Sequence, residues 1–374
     1  MAIVDEKIIS FKKGKLITPE QAMQLAIRVA ELGAPFVSPN PLVGCVIVDR
    51  NHQFLASGFH SRFGGDHAEV AALKQVNADE LKNSTLYVTL EPCAHEGKTP
   101  SCAKTIAKLP IKKVVFGLTD PNPVVSGQGA EIIRSAGKTV VEYAGPLKNN
   151  LEDVCEIFLK NYREKKIFVA AKVASSLDGQ IALKSGESKW ITSEASRVFV
   201  HELRSRYDSV LVGRLTVEKD NPSLNIRHPE IQKGIKLIIL DPANSILDQV
   251  LNKKDFKFLG AHKNENIFFA TKNPLIKSAY AQIQFTNLLD LNQKLWELGI
   301  RSTFIEGGAM TYSSFLQAGL IDRLHLFLAP VLIGSKGGIA WTNGFEIESL
   351  EKKLQLKNVR TKSISPDIYL TGRL

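Results

Sequence analysis

His67-Ala68-Glu69-Val70-Ala71-Ala72-Leu73-Lys74 opens with a histidine and a glutamate two residues apart on a helix-like segment. Downstream, Leu86 to Leu90 (LYVTL) reads as a strand that runs straight into Glu91-Pro92-Cys93, and Cys102 follows after eight intervening residues, Ala94 to Ser101 (AHEGKTPS). Catalytic zinc needs three protein ligands and one open position. His67, Cys93 and Cys102 supply one nitrogen and two thiolates. Glu69 is better placed to move protons than to bind metal. Bound zinc lowers the pKa of its water to about 7, and Glu69 can take that proton and pass it to a ring nitrogen and a leaving amine. The order H-x-E, P-C, C is that of zinc nucleobase deaminases, in which two residues separate the cysteines. The wider gap here places polar groups, His95, Gly97, Lys98 and Thr99, next to the metal. A closed structural knot with Cys45 as fourth ligand is the competing reading. Cys45 lies inside an apolar strand, where a free cysteine is usually core, and a closed knot would leave Glu69 idle.

Outward from this motif, strand and helix alternate. Thr18 to Leu32 has helical periodicity, with Thr18 as N-cap and Pro19 at the first helical position. Leu42 to Asp49 (LVGCVIVD) reads as a buried strand, Ser101 to Leu109 as a helix, and Lys113 to Leu118 as a strand. A helix from about Ala130 and a short strand near Val140 close an α/β domain over 18–146. A polar helix over 147–166 is expected to link it to a second α/β domain, 167–374. Residues 1–17 form an extension, and Cys155 on the linking helix is expected to be inert. Apolar runs at 167–173, 209–212, 237–240, 267–270, 303–305, 324–328 and 368–370 read as strands.

Composition sets bounds. A length of 374 residues suits two domains at roughly 150 residues each. No run of about 18 apolar residues spans a membrane, and no signal-like stretch opens the chain, so a cytoplasmic location is expected. Four cysteines make no disulfide framework. The net charge of +10 would suit nucleic acid or phosphorylated small molecules. The basic residues are scattered, however, and no basic stretch is interleaved with aromatics, as a nucleic-acid channel would require.

The second domain has no G-x-G-x-x-G after a strand, so a Rossmann site is not supported. Glu306-Gly307-Gly308 follows the strand-like STFI and precedes a helix-like segment. Such glycines can let a backbone approach a pyrophosphate at a helix N-terminus, although Gly-Gly is often only a turn. Arg204 and Arg227 have the fork geometry that grips phosphate, yet each alone could be a surface ion pair. Lys172, Asp220 and Glu306 are the polar candidates to shuttle a proton.

Several segments occur together in order: Pro39-Asn40-Pro41-Leu42-Val43-Gly44-Cys45-Val46, Gly58-Phe59-His60, His67-Ala68-Glu69, Glu91 to Cys102, and Asp120-Pro121-Asn122-Pro123. They resemble the deaminase half of the bifunctional riboflavin-biosynthesis deaminase–reductase family. Lys172 to Ala182 (KVASSLDGQIA), Gly186 to Thr192 (GESKWIT), Val212-Gly213, Asp220-Asn221-Pro222 and Glu306-Gly307-Gly308 resemble its reductase half. The resemblance covers roughly 18–374. It implies a cytidine-deaminase-like three-layer αβα domain followed by a dihydrofolate-reductase-like α/β domain, with one zinc ion, NADPH and a phosphorylated pyrimidine substrate. Oligomers are common in such enzymes. By the same resemblance Asn40 holds the substrate ring, and His60 and Lys98 lie near the ring or its phosphate. Ser188, Arg204, Leu224, Arg227 and Glu306 match substrate contacts in the reductase. Ala174, Trp190, Thr216, Asp220, Gly307 and Gly308 match cofactor contacts. Ser126-Gly127-Gln128-Gly129 departs from the family's Gly-Arg-Gly form and puts the contribution of Gln128 in doubt. Three alternatives remain open: a nucleic-acid-editing deaminase with a binding domain, a zinc-stabilised scaffold without catalysis, and a protein with one degenerate half.

Overall fold

A computed structural model describes residues 11–95, 101–122 and 126–374. The chain divides into two compact units, Met1–Lys165 and Lys166–Leu374.

In the first unit, helix α1 (Pro19–Glu31) starts at a reciprocal cap: Thr18 accepts from the Gln21 amide at 3.2 Å, and Gln21 Oε1 accepts from the Thr18 amide at 2.9 Å. There follow β1 (Gly44–Val48), β2 (Phe54–Phe59), α2 (Ala68–Leu73), β3 (Thr85–Leu90), α3 (Cys102–Lys108), β4 (Lys113–Leu118), α4 (Gln128–Ser135), β5 (Thr139–Glu142) and α5 (Lys148–Glu164). The strands form one sheet in the order β2-β1-β3-β4-β5. β1 is antiparallel to β2 and β3, and β3, β4 and β5 are parallel. The period-2 alternation of strands explains the layering. Val46 and Val48 of β1 face one core with α1 and α5, whereas Cys45 and Ile47 face another with α2, α3 and α4. Helices therefore cover both faces in three layers, the α/β arrangement expected.

The helix expected as a linker belongs to this unit. Its residues Leu151, Val154, Cys155, Phe158 and Leu159 are buried in the core that α1 shares. Their i, i+3, i+4, i+7 spacing gives α5 an apolar stripe, and a helix with such a stripe packs rather than spans. The end of the N-terminal extension also packs here. Leu16 bridges to Gln53, and the Phe11 and Phe54 rings lie 6.0 Å apart.

The second unit carries β6 (Phe168–Ser176), β7 (Gln180–Leu183), α6 (Glu194–Ser205), β8 (Ser209–Gly213), α7 (Arg214–Asp220), β9 (Lys236–Leu240), α8 (Ser245–Leu251), α9 (Lys257–Ala261), β10 (Ile267–Thr271), β11 (Ala281–Gln284), α10 (Leu288–Glu297), β12 (Ser302–Ile305), α11 (Ala309–Gln317), β13 (Arg323–Ala329), β14 (Gly338–Ala340), β15 (Lys357–Ile364) and β16 (Asp367–Arg373). Its main sheet runs β11-β10-β9-β8-β12-β6-β13-β16-β15, and β7 pairs with β14 separately. The order is parallel from β11 through β13, and β16 and β15 are antiparallel additions. Both faces are again covered. Val210, Val212, Leu237 and Ile239 pack with α7 and α8, while Leu211, Ile238 and Ala270 pack with α10 and α11. The start of α6 is pinned to β16 by the buried Asp367, which accepts from the Ser193 amide and hydroxyl at 2.8 Å each and from the Ser196 hydroxyl at 2.6 Å. No helix among the described residues is long and apolar enough to cross a membrane.

Candidate active sites

In the first unit the site forms at the C-terminal ends of parallel strands, where α/β sheets place ligands. β3 ends at Leu90 and delivers Cys93 three residues later. His67 caps α2 and Cys102 opens α3, so three separate elements converge. Among the described residues, His67, Cys93 and Cys102 are the group able to hold a metal, with ligand atoms all within 4.8 Å of one another. Cys93 Sγ and Cys102 Sγ lie 3.5 and 3.4 Å from His67 Nδ1. One imidazole nitrogen and two thiolates are the donor set that suits zinc. Cys45 is buried in β1 and does not join the group. Hydrogen bonding from Cys102 favours the Cys93 thiolate, against burial and with help from His67. Ser101 ties the two cysteines together: its hydroxyl donates to the Cys93 carbonyl at 2.7 Å and accepts from the Lys104 amide at 3.3 Å.

Glu69 is 4% exposed and sits beside the cluster. Burial, followed by the negative charge of Cys93, pushes its carboxyl up to about 7. A carboxyl so placed can both take and give a proton near neutral pH.

His60 is 3% exposed, and both its ring nitrogens are engaged. Nδ1 donates to the Asp66 carbonyl at 2.8 Å, which leaves Nε2 to accept from Asn40 Nδ2 at 3.0 Å. Burial lowers the imidazole pKa, consistent with this neutral form. In this arrangement His60 orients the Asn40 amide, and no ring nitrogen is left for a phosphate. Lys98 lies outside the described residues.

Glu91 is a site-building residue that the sequence reading passed over. Its buried carboxylate accepts from the amides of Asp120 (3.3 Å), Gly127 (3.0 Å) and Ala130 (3.1 Å). It thereby ties Asp120, Gly127 and the first turn of α4 to the residues that precede Cys93. Gly129 has no room for a side chain, since a Cβ there would lie 1.8 Å from the Pro92 carbonyl oxygen.

In the second unit the expected residues fall into two groups. Glu306, at the end of β12, is gripped by Arg204: Nε donates to Oε1 at 2.5 Å and Nη2 to Oε2 at 3.1 Å. Lys172 Nζ lies 3.6 Å from Oε2. Burial alone would raise the Glu306 pKa, but Arg204 and Lys172 outweigh it and bring it down to about 2. Arg204 Nη1 donates to His201 Nδ1 at 3.0 Å and to the Asn225 carbonyl. Arg204, 6% exposed, thus ties the Glu306 carboxylate to His201 and to the Asn225 backbone. Arg227 is exposed, and its Nη1 donates to Asn225 Oδ1 at 2.8 Å. Leu224 is buried with φ +56.

The second group joins Ser188, whose hydroxyl donates to Asp220 Oδ1 at 2.9 Å, to the Lys189 ammonium, which reaches the Asp220 carbonyl at 3.1 Å. Trp190 is 69% exposed, with the Arg197 guanidinium 4.3 Å from its ring centroid. Such exposure argues against the core role usual for tryptophan. Ala174 is half-buried on β6. Gly307 answers a packing need: a Cβ there would lie 2.6 Å from Thr311 Cβ. Gly308 caps α11 without a side chain, and a Cβ added to it would stand 3.4 Å from the Thr216 hydroxyl. Uncapped amides beside a hydroxyl suit an anion. The second glycine loop, Gly334 to Gly338, is fastened by Asp178, which accepts from the amides of Ile333 (3.2 Å) and Gly334 (2.7 Å).

A His-Cys-Cys cluster with a buried acid on a three-layer αβα sheet defines the zinc-aminohydrolase class of domain, here followed by a largely parallel α/β domain. The model of the cytidine and deoxycytidylate deaminase zinc-binding region matches residues 17–118, and that of the RibD C-terminal domain matches 167–370. The riboflavin biosynthesis protein RibD of Actinobacillus pleuropneumoniae is 38% identical, with 95% of each chain covered. Acinetobacter baumannii RibD superposes with a TM-score of 0.79 at 35% identity, covering 94% of this chain and 98% of that one. A Thermotoga maritima diaminohydroxyphosphoribosylaminopyrimidine deaminase/5-amino-6-(5-phosphoribosylamino)uracil reductase gives 0.81 at 36% identity, covering 95% and 98%. The chain belongs to the RibD family of bifunctional riboflavin-biosynthesis enzymes, with a deaminase domain followed by a reductase domain. A nucleic-acid deaminase carrying a separate binding domain is not favoured, because the second unit matches the reductase model over most of its length.

Proposed function

We propose that this chain carries out both reactions named for the Thermotoga relative, on a diaminopyrimidinone that bears a phosphoribosylamino group. The first unit replaces the 2-amino group by oxo with water and releases ammonia. The second reduces the ribosyl unit to ribityl at the expense of NADPH.

The observation that carries the reading is the convergence of His67, Cys93 and Cys102 with Glu69 buried beside them. These three side chains would hold zinc, which when bound supplies the Lewis acidity that makes water a nucleophile near neutral pH. Glu69 accepts a proton from the attacking water and delivers it to the ring nitrogen, and it then carries the second proton, from the hydroxyl added to the ring carbon, to the departing amine as the C–N bond breaks and the carbonyl forms. Asn40, held by His60, orients the pyrimidine, and Lys98 is proposed to meet the ring or phosphate. In the second unit Ala174, Trp190, Thr216, Asp220 and Gly308 would line the site for NADPH, which supplies the hydride. Ser188, Leu224 and Arg227 would hold the sugar phosphate. The hydride requires an opened ribose with an imine-like carbon. Lys172, charged beside Glu306, is the proton source nearest the buried carboxylate, and Asp220 is the second candidate. Arg204 keeps Glu306 ionised and in place. A cytoplasmic, oligomeric enzyme that binds no nucleic acid completes the reading.

The test is to load the protein with zinc and follow NADPH absorbance with the diamino precursor. Oxidation that disappears after chelation, while the deaminated substrate still supports it, is the expected result. Chelation without effect on either substrate would reject the zinc step.

A further inference from the structure

His201 was not singled out by any motif, yet it lies at the junction between Glu306 and the loop that carries Leu224, Asn225 and Arg227. It stands on α6 one turn before Arg204, and residues three apart share a helix face. Two donors converge on one of its nitrogens: Arg204 Nη1 at 3.0 Å and the backbone N–H of Arg227 at 3.2 Å. A nitrogen that accepts twice carries no proton, so the imidazole is neutral with its hydrogen on Nε2. Burial, then the charges of Arg204 and Arg227, keep it neutral by lowering its pKa to about 4. From the same helix Arg204 reaches the Asn225 carbonyl, and Asn225 Oδ1 in turn accepts from Arg227 Nη1 at 2.8 Å. The backbone of the loop is thus fastened at two points, residues 225 and 227. Leu224 is held in a left-handed conformation between them and α7. Such a conformation persists in a non-glycine residue when its surroundings impose it.

We infer that His201 is a positioning residue of the reductase: its Nδ1 fixes the backbone at Arg227 so that the guanidinium is presented to the phosphate of the sugar substrate. The inference rests on the proposed role of Arg227 as a substrate contact.

The test uses the full-length, zinc-loaded protein, the deaminated substrate and steady-state NADPH oxidation. His201→Ala should raise KM for that substrate about tenfold, the effect of one lost hydrogen bond in the site, and leave KM for NADPH and deamination unchanged. His201→Asn, whose Oδ1 can stand where Nδ1 stands, should restore the wild-type KM. His201→Gln fills the volume but puts its amide near the Nε2 position, and should behave like His201→Ala. In an Arg227→Ala background, His201→Ala should add nothing further. Three results would overturn the inference: an unchanged KM in His201→Ala and His201→Gln while Arg227→Ala raises it, equal KM in the Asn and Gln variants, or effects of His201→Ala and Arg227→Ala that multiply. An Arg227→Ala variant with wild-type KM would instead remove the underlying reading of Arg227, and the inference with it.

Discussion

Arg204→Met should destabilise the second unit by about 3 to 5 kcal/mol, the range for removing one partner of a buried ion pair. The side chains of Arg204 and Glu306 are only 7% and 8% exposed, so little solvent screens the pair. Methionine removes the two-pronged contact and leaves Glu306 with Lys172 at 3.6 Å. The carboxyl's own titration gives a similar scale, since a fall from 4.5 to about 2 on folding corresponds to about 3 kcal/mol. The sign follows from that depression: the contribution is complete above about pH 4.5 and is lost as pH falls towards 2. All three tryptophans, Trp190, Trp296 and Trp341, lie in the second unit, so indole fluorescence during urea unfolding reports that unit alone. Wild-type stability should fall over this acid window, whereas Glu306→Gln, with no charge to lose, should show a shallower fall. A loss below about 1 kcal/mol in Arg204→Met at pH 7, or an acid limb equal in wild type and Glu306→Gln, would refute the buried-pair reasoning.

Three further outcomes are expected. His60→Ala should raise KM for the diamino substrate by about tenfold, through a misdirected Asn40, while zinc content by atomic absorption stays at one per chain. Gly129→Ala should destabilise the first unit by about 1 to 3 kcal/mol, because the methyl must displace the Pro92 backbone; far-UV dichroism during thermal unfolding, together with zinc retention, would measure this. Glu91→Gln should weaken zinc binding, read by competition with a chromogenic chelator, since the carboxylate's three amide partners hold the backbone around Cys93.

The metal cluster was legible because its ligands have rare chemistry at telling spacings, and the strands around it are plain apolar runs. Other features depended on contacts that spacing does not encode. Glu91 looked like an ordinary residue after a strand, because its amide partners lie 29 to 39 residues away. His201 is one histidine on an amphipathic helix, and only the fold brings the Arg227 amide to it. The pairing of Arg204 with Glu306 was not legible either, because sequence cannot show which carboxylate, 102 residues away, a guanidinium meets. The polar appearance of 147–166 concealed a stripe of five apolar residues that buries α5 in the first unit. Strand β15 carries Lys357, Arg360 and Lys362 along an exposed edge, a composition that hides a strand and also guards it against pairing.

The most direct measurement supplies zinc-loaded Glu69→Gln protein with NADPH and, separately, the diamino precursor and the deaminated substrate. The expected result is oxidation at the wild-type rate with the deaminated substrate and none with the precursor, at unchanged zinc content. Oxidation of NADPH with the precursor at the wild-type rate would contradict the role of Glu69, and loss of oxidation with both substrates would contradict the independence of the two chemistries.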